Sequence, residues 1–474
     1  METSSATETR RIIVIGAGVA GLAAARQAQH QCGFATTAVT VLEARDRVGG
    51  RIWSDRFSDG TVIDLGAQWV HGVCPEHPIA SLAKDHPEWG ELVETDWESC
   101  PDFQLGTSAE MPEEWREKSE ELFEQTWSLM ESSRCEKEDS ARRPGEKDLP
   151  LWDGLQQLGC ADFDWSRLTE QEQFLLRWRW ARETEWIYAA PMEELSFRWW
   201  DDDLEFEGPD CVWPKGYTGF MCWLSEGLDI RLGMRAVAVV QQTNGVAVHC
   251  LKDGKAIVEH ANLVIVALPL GVLKTGKVQF VPPLSAEKNK SIHAVGMGLL
   301  NKVALRFDER FWPDDISGFD RVAVRKEQVT EKMEAHEWVF LPDCAGAPVA
   351  IAYFCCEMAK RAESTSEADL TLRCLEILAE TFDMELTSLE ASLREVKRSR
   401  WQADEYAQGS YSYLPVGTSP AHRRTLAEPH GDRVLFAGEH VRNDYPSTVH
   451  GAYLSGCKAC EDALKFLSGE LPKS

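Results

Sequence analysis

The sequence predicts an α/β chain, α+β over its whole length, built on a parallel sheet assembled from well-separated stretches. Three observations predict it. Arg11 to Ile15 is an apolar strand leading straight into Gly16-Ala17-Gly18-Val19-Ala20-Gly21 and an Ala-rich helix; consecutive apolar residues suit a parallel strand covered on both faces. Leu263 to Ala267 is a second fully apolar strand, closed by Pro269. Val434 to Phe436 is a third, ending in a small turn and an acid, Glu439. Strand, glycine turn and helix in that order make the opening unit Rossmann-like.

In G-x-G-x-x-G, Gly16 permits the tight turn, Gly18 lets backbone N–H groups approach a pyrophosphate, and Gly21 lets the helix pack on the strand. The helix N-terminus offers that anion unpaired donors and a partial positive charge. Thr40 to Glu43 is a strand ending in an acid twenty-two residues after Gly21, placed to accept both hydroxyls of an adenosine ribose. Gly49-Gly50-Arg51 follows and suggests a second close backbone approach to phosphate, with Arg51 giving charge-assisted bonds. The alternative is an ordinary crossover without a ligand; strand, turn, helix, acid and Gly-Gly-Arg falling in register argue against it.

Thr61 to Gly72 reads as a strand entering a small-residue turn. Gly66 and Ala67 leave room for a flat ring, and Trp69 and His71 share a face if extended; His71 is either structural or part of the site. From Cys74 to Phe206 no nucleotide signature occurs. Helices are predicted at Glu113 to Ser132 and Glu170 to Tyr188, with a charged loop at Arg134 to Lys147. Asp201 to Glu207 is acidic, either a solvated face or a means of drawing in a cation. From Gly208 the strand character returns: a helix after Pro214, strands at Leu228–Leu232 and Ala236–Gln241, and a hairpin at Gly245–Glu259. Leu299 to Phe307 alternates, with Lys302, Ala304 and Arg306 on its polar face. Val349 to Phe354 is a strand, and Ala368 to Phe382 an amphipathic helix with Leu370, Leu372, Leu375 and Leu378 as its stripe. Arg400 to Tyr413 is an aromatic loop suited to walling a pocket with π-faces, core packing being the alternative for each ring. A last helix runs from Ser447 to about Leu467. These shifts divide the chain into a nucleotide domain (1–72, 208–285 and 405–474) and a substrate domain (73–207 and 286–404).

The 474 residues exceed one compact core and fit two or three domains. Acids outnumber bases 77 to 50, a formal charge of −27. Such a surface repels nucleic acid and anionic membrane and favours small cations, or else serves solubility alone. No apolar run is long enough to span a bilayer and Met1 to Arg10 lack a signal-peptide core, so an intracellular, cytoplasmic location is expected. The ending Pro472-Lys473-Ser474 does not match the peroxisomal signal, although that compartment stays open. Fourteen cysteines read as reduced thiols, and Cys457-Lys458-Ala459-Cys460 has no second pair at zinc spacing, so no metal is expected.

Taken together, Gly16–Gly21, Leu42–Arg51, Leu65–Gly72, Leu263–Leu273, Trp401–Tyr413 and Phe436–Gly456 resemble the flavin-dependent amine oxidases, and among them the animal-type polyamine oxidases, over nearly the whole chain. The resemblance implies that architecture: a Rossmann-like FAD-binding domain with a discontinuous α+β substrate domain. It implies that Gly16, Gly18 and Gly21 contact the FAD pyrophosphate, Glu43 the ribose, Arg51 the phosphates and flavin side, and Val237 the adenine through its backbone. Gly66, Ala67, Gln68 and Trp69 would line the cofactor. Glu439 would bond the ribityl chain, with Thr448 and Val449 near the pyrimidine end of the flavin. Lys302 resembles the lysine that holds a water against the flavin, and Trp401 and Tyr406 the aromatics beside the ring. Trp-Val-His-Gly, with His71, is the animal-type form. No cysteine lies between Ala407 and Thr418, so FAD would be bound non-covalently. The family's histone demethylases carry an extra domain and a helical insertion for which this length leaves no room.

The activity so implied is oxidation of a polyamine at a secondary amine, with O2 and water giving an aldehyde, a shorter amine and H2O2. The cofactor carries the redox chemistry. Lys302 and His71 would be catalytic, and His71, Tyr406 and Tyr411 would contact substrate. Partners would be a small cationic amine and O2, with the chain a monomer or weak homo-oligomer. The rivals are an oxidase of other primary amines or amino acids, and a flavin-binding protein without turnover.

Overall fold

In the computed structural model, which describes residues 10–30, 37–95, 100–138, 147–160, 163–324, 328, 332–342 and 345–469, the first strand, Arg10–Ile15, is the middle of five. The sheet runs Val434–Phe436, Leu263–Val266, Arg10–Ile15, Thr37–Leu42, Asp229–Arg231, every neighbour parallel. Ile12, Ile13, Val14, Val264 and Ile265 are fully buried, as strands covered on both faces must be. One cover is the helix Val19–His30 packed on the C-terminal helix Val449–Ser468. The other is a four-stranded sheet, in which Lys255–Ala261, Gly245–Lys252 and Arg235–Gln242 form an antiparallel meander and Gln279–Val281 adds in parallel.

A separate six-stranded sheet carries the rest. Its order is Leu393–Arg398, Leu300–Phe307, Val349–Cys355, Glu337–Phe340, Gly318–Val322, Asp102–Gln104, antiparallel except for the last pair. One face packs on helices Cys356–Ser364 and Glu367–Phe382 through Val303, Leu305, Phe307, Phe354, Leu370 and Leu378. The other face meets Phe57, Ile63 and Leu65. Lys302 and Ala304 therefore lie buried, not solvated as a polar strand face predicts: the second face is covered by a distant segment that alternation within the strand does not reveal.

The helices Glu113–Glu138 and Glu170–Tyr188 pack together, with Trp180 Nε1 donating to Thr126 Oγ1 (2.9 Å) in their interior. The first continues through Arg134 into the segment expected as a charged loop; 139–146 lie outside the described residues. The same holds for Met1 to Glu8, Thr9 and Pro472 to Ser474. In Glu367–Phe382 the stripe is Leu370, Leu375, Ile377 and Leu378, and Leu372 points outward at 40 % exposure. Two residues past Leu370 is about 200° around a helix, so Leu372 falls on the opposite face. No helix among the described residues is long and apolar enough to cross a membrane.

Candidate active site

One cavity of about 1400 Å³ runs between the two sheets. Every site residue expected from the sequence lines it except Gly21. Gly21 supports the turn from behind: a Cβ there would sit 1.9 Å from the Gly16 carbonyl oxygen and 3.1 Å from Val14. Gly21 thus packs the helix on the strand, away from the cavity surface that the pyrophosphate was expected to share with it. Gly16 has φ +105° and faces the Ala267 backbone, so the chain's own geometry requires glycine there as well. Gly18 differs. Its φ is ordinary and a Cβ would meet nothing nearer than Gly49 O at 4.0 Å. Only something occupying the cavity makes a side chain there unwelcome, which is how a phosphate cradle at a helix N-terminus is built.

The remaining nucleotide end fits the same group. Glu43 is buried and accepts from Ala17 N–H (2.7 Å) and Arg45 N–H (2.8 Å), holding the glycine loop to the second strand while facing the cavity. Val237 is the extra residue of a β-bulge between Ala236 and Ala238; the ladder to the next strand skips it, which frees its backbone for a base edge. Tyr406 also lines this end, its ring 5.3 Å from the Arg45 guanidinium. Arg45 is clamped by Asp404 at 2.8 Å. Tyr406, expected beside the flavin ring and against substrate, thus packs on Arg45 while lining the cavity. The loop turns after Trp401, so the two aromatics separate.

Arg51 and Glu439 meet in the middle. Arg51 Nη1 donates to Glu439 Oε1 (2.8 Å) and to the Ser410 carbonyl (2.8 Å). Glu439 Oε2 takes Ser412 Oγ–H (2.7 Å) and Ser447 N–H (3.2 Å). Burial alone raises a carboxyl; Arg51, His440 and the Ser412 bond outweigh it and hold Glu439 down at about 2. Thr448 caps the last helix, its Oγ1 accepting from Gly451 N–H (2.9 Å), so that helix N-terminus, with Val449, opens on the cavity. Gly66 packs against the Arg51 backbone, where a Cβ would lie 1.8 Å from its carbonyl oxygen, and Ala67 N–H bonds the same carbonyl (3.3 Å).

Lys302 is the centre of the other end. Its Nζ donates to Gln68 Oε1 (2.8 Å) and to the Asp64 carbonyl (3.0 Å) and lies 5.0 Å from the Tyr353 ring and 5.5 Å from that of Trp69. Tyr353 OH donates to the same Gln68 oxygen (2.9 Å). Burial pulls the Lys302 ammonium down to about 7, against the opposing pull of Asp64 and Glu337. Trp401 is buried beside it, Nε1 bonding the Leu65 carbonyl (3.2 Å). Tyr411 lines the same end, enclosed enough to keep its phenol protonated. His71 stands outward, over half exposed, with Nδ1 on Asp210 Oδ2 at 2.7 Å and its ring stacked near Trp69.

Several lining residues escaped sequence reasoning: Tyr353, Glu337, Asp320, Asp102 and Arg182. They sit on four strands and a helix, with no shared motif. Asp203 and Glu205 of the acidic run also reach the cavity, and burial raises Asp203 to about 7. Among the described residues no cluster of His, Cys, Asp and Glu could hold a metal ion.

Residues 19–464 match the family described as flavin containing amine oxidoreductase. The chain is similar to polyamine oxidase 2 of Arabidopsis thaliana, 31% identical over 96% of this chain and 88% of the relative. It is similar to polyamine oxidase 4 of Oryza sativa subsp. japonica at 32%, over 96% and 88%. A third relative is lysine-specific histone demethylase 1 homolog 1 of Arabidopsis thaliana, 31% identical over 97% of this chain but 52% of the relative, so the chain spans about half the length of that protein.

Proposed function

The chain belongs to the family of flavin-containing amine oxidoreductases and is an FAD-dependent amine oxidase, and from that premise we propose that it oxidises polyamines at a secondary amine. The observation that carries the reading is the lining of the cavity around Lys302, to which Trp178, Trp186 and Tyr188 contribute rings and Glu337, Asp320 and Asp102 contribute acids. Aromatic faces, with Glu337 as the acid of the three not paired to an arginine, suit an elongated cation, and the charge of −27 steers cations towards it. The names of the polyamine oxidases among its relatives agree.

Gly18, Glu43, Arg51, Glu439, Thr448 and Trp401, which all line the cavity, would hold FAD without a covalent link, and the bound cofactor would supply the two-electron redox chemistry between the amine and O2. The rest falls to the protein. A protonated amine has no lone pair to share with a developing imine, so the site must receive the nitrogen neutral. Neutral Lys302 spends both N–H bonds on Gln68 and the Asp64 carbonyl; its lone pair is left to hold a water or accept a proton. Trp69, Trp401 and Tyr411 exclude solvent around it. His71, more than half exposed and tied to Asp210 through Nδ1, would orient the incoming chain.

Peroxide release tests the reading. The flavin-loaded protein is assayed with spermine, spermidine, their acetylated forms, simple monoamines, amino acids and an N-methyl-lysine peptide, the last because of its histone demethylase relatives. Turnover of polyamines with aldehyde and shortened amine as products is expected. Peroxide from monoamines, amino acids or the peptide alone would overturn it, and a yellow protein silent with all of them would be a non-catalytic flavoprotein.

A further inference from the structure

Five adjacent strands of the six-stranded sheet place one polar residue each in a single row. Lys302 pairs with Tyr353, Tyr353 with Glu337, Glu337 with Asp320, and Asp320 with Asp102. Residues directly opposite in a ladder share a face, and all five line the cavity. Strands are about 4.8 Å apart, so the row leads away from Lys302 in steps close to the spacing of about 5 Å between nitrogens on a three-carbon chain.

The acids in the row are not equivalent. Asp320 is taken by Arg182 Nε (3.0 Å), and Asp102 by Arg116 (3.6 Å) and Arg182 (4.0 Å). The Glu337 side chain makes no hydrogen bond and no ion pair to any described residue; Arg182 and Lys302 act on its carboxyl only at longer range. A half-buried carboxylate without a partner is costly, and the cost is relieved when a cation arrives from outside. Beyond it, Arg182 repels a further positive charge.

Building on the polyamine reading, we propose that Glu337 is the specificity residue that binds a substrate ammonium distal to the nitrogen oxidised beside Lys302. Recognition is then of a second positive charge at a fixed distance along the sheet, and a monoamine gains nothing from it.

The test is Glu337→Gln in the holoenzyme, with Glu337→Asp as a second variant of the same charge and shorter reach. The substrates are spermidine and a secondary monoamine lacking a second charge. Glu337→Gln should raise KM for spermidine about tenfold or more with little change in kcat, leave the monoamine's constants unchanged, and retain flavin; Glu337→Asp should lie between. An unchanged KM for spermidine, or equal losses for both amines, overturns the assignment while the polyamine reading stands. If wild-type holoenzyme oxidises no polyamine, that reading falls by itself. Calorimetric titration with 1,4-diaminobutane then decides Glu337: binding to wild type that weakens about tenfold in Glu337→Gln supports it, and equal or absent binding in both overturns it.

Discussion

The two sheets that enclose the cavity work by different means. The parallel sheet, together with the meander packed on it, presents backbone: a glycine turn and two helix N-termini from the first and the bulge at Val237 from the second, with hardly a charged side chain in their shared core. The antiparallel sheet presents side chains, a lysine, a tyrosine and three acids in register across five strands. Backbone donors suit a ligand of fixed shape and charge such as a dinucleotide. Titratable side chains suit a step in which protons move and a substrate whose charges must be counted. Changes in the first sheet should act on cofactor retention, and changes in the second on turnover.

The sharpest separation is expected from Lys302→Met. It removes the amine and both its bonds while keeping much of the volume. Flavin content should stay at the wild-type level while the rate of flavin reduction or reoxidation, read by stopped flow, falls about a hundredfold or more. Unchanged rates would remove Lys302 from the chemistry and leave its sheet without the role argued for it.

The converse test lies at Glu439. Its native value near 2 lies below the ordinary 4.5, so it stabilises the fold above pH 4.5 and that contribution is lost as pH falls from there towards 2. The shift corresponds to about 3 kcal/mol, and removing one member of a buried pair costs as much. Glu439→Gln should lower denaturant stability by that order at pH 7, shed flavin on gel filtration, and converge with wild type as pH approaches 2. A variant that keeps flavin and loses only turnover would blur the division between the sheets.

Within the parallel sheet the glycines divide again, with effects of about 2 kcal/mol. Gly21→Ala drives a Cβ into the Gly16 carbonyl and should lower the melting temperature of the flavin-free protein. Gly18→Ala has open space and should leave that temperature unchanged while weakening FAD binding about tenfold, measured by flavin fluorescence. Equal behaviour of the two would mean that the cradle is not where the cofactor approaches.

This contrast also explains what could be read from the chain. Gly16, Gly18, Gly21 and Glu43 are legible because one strand, one turn and the next strand hold them within a short span. The helix that Thr448 caps is legible from Ser447 to about Leu467, while the cap itself is seen only in the structure. Lys302 is not legible: alternation sets it on a solvated face, and only resemblance singles it out. Its burial comes from Ile63 and Leu65, which no pattern inside its own strand announces. Asp102 lies far along the chain from Asp320 and Glu337, and strand register, a tertiary property, joins the three.

The smallest effect concerns protons. Lys302 is held down to about 7 by burial and Glu337 is raised by burial to about 7, with Arg182 and Lys302 opposing. Facing the pair are Asp64, Tyr353, Asp320 and Arg182. Below neutrality Lys302 is cationic and Glu337 neutral; above it Lys302 is neutral and Glu337 anionic, the combination that receives a cationic chain and leaves a lone pair free. For spermidine, kcat/KM should therefore rise with pH between about 6 and 8, with a logarithmic slope near two on the acid side because two groups titrate together. Glu337→Gln should reduce that slope by about one and the secondary monoamine should show the reduced slope in wild type, the substrate's own ionisation adding equally to each profile. A slope that ignores both changes would mean that the row of acids does not sense the proton state of the site.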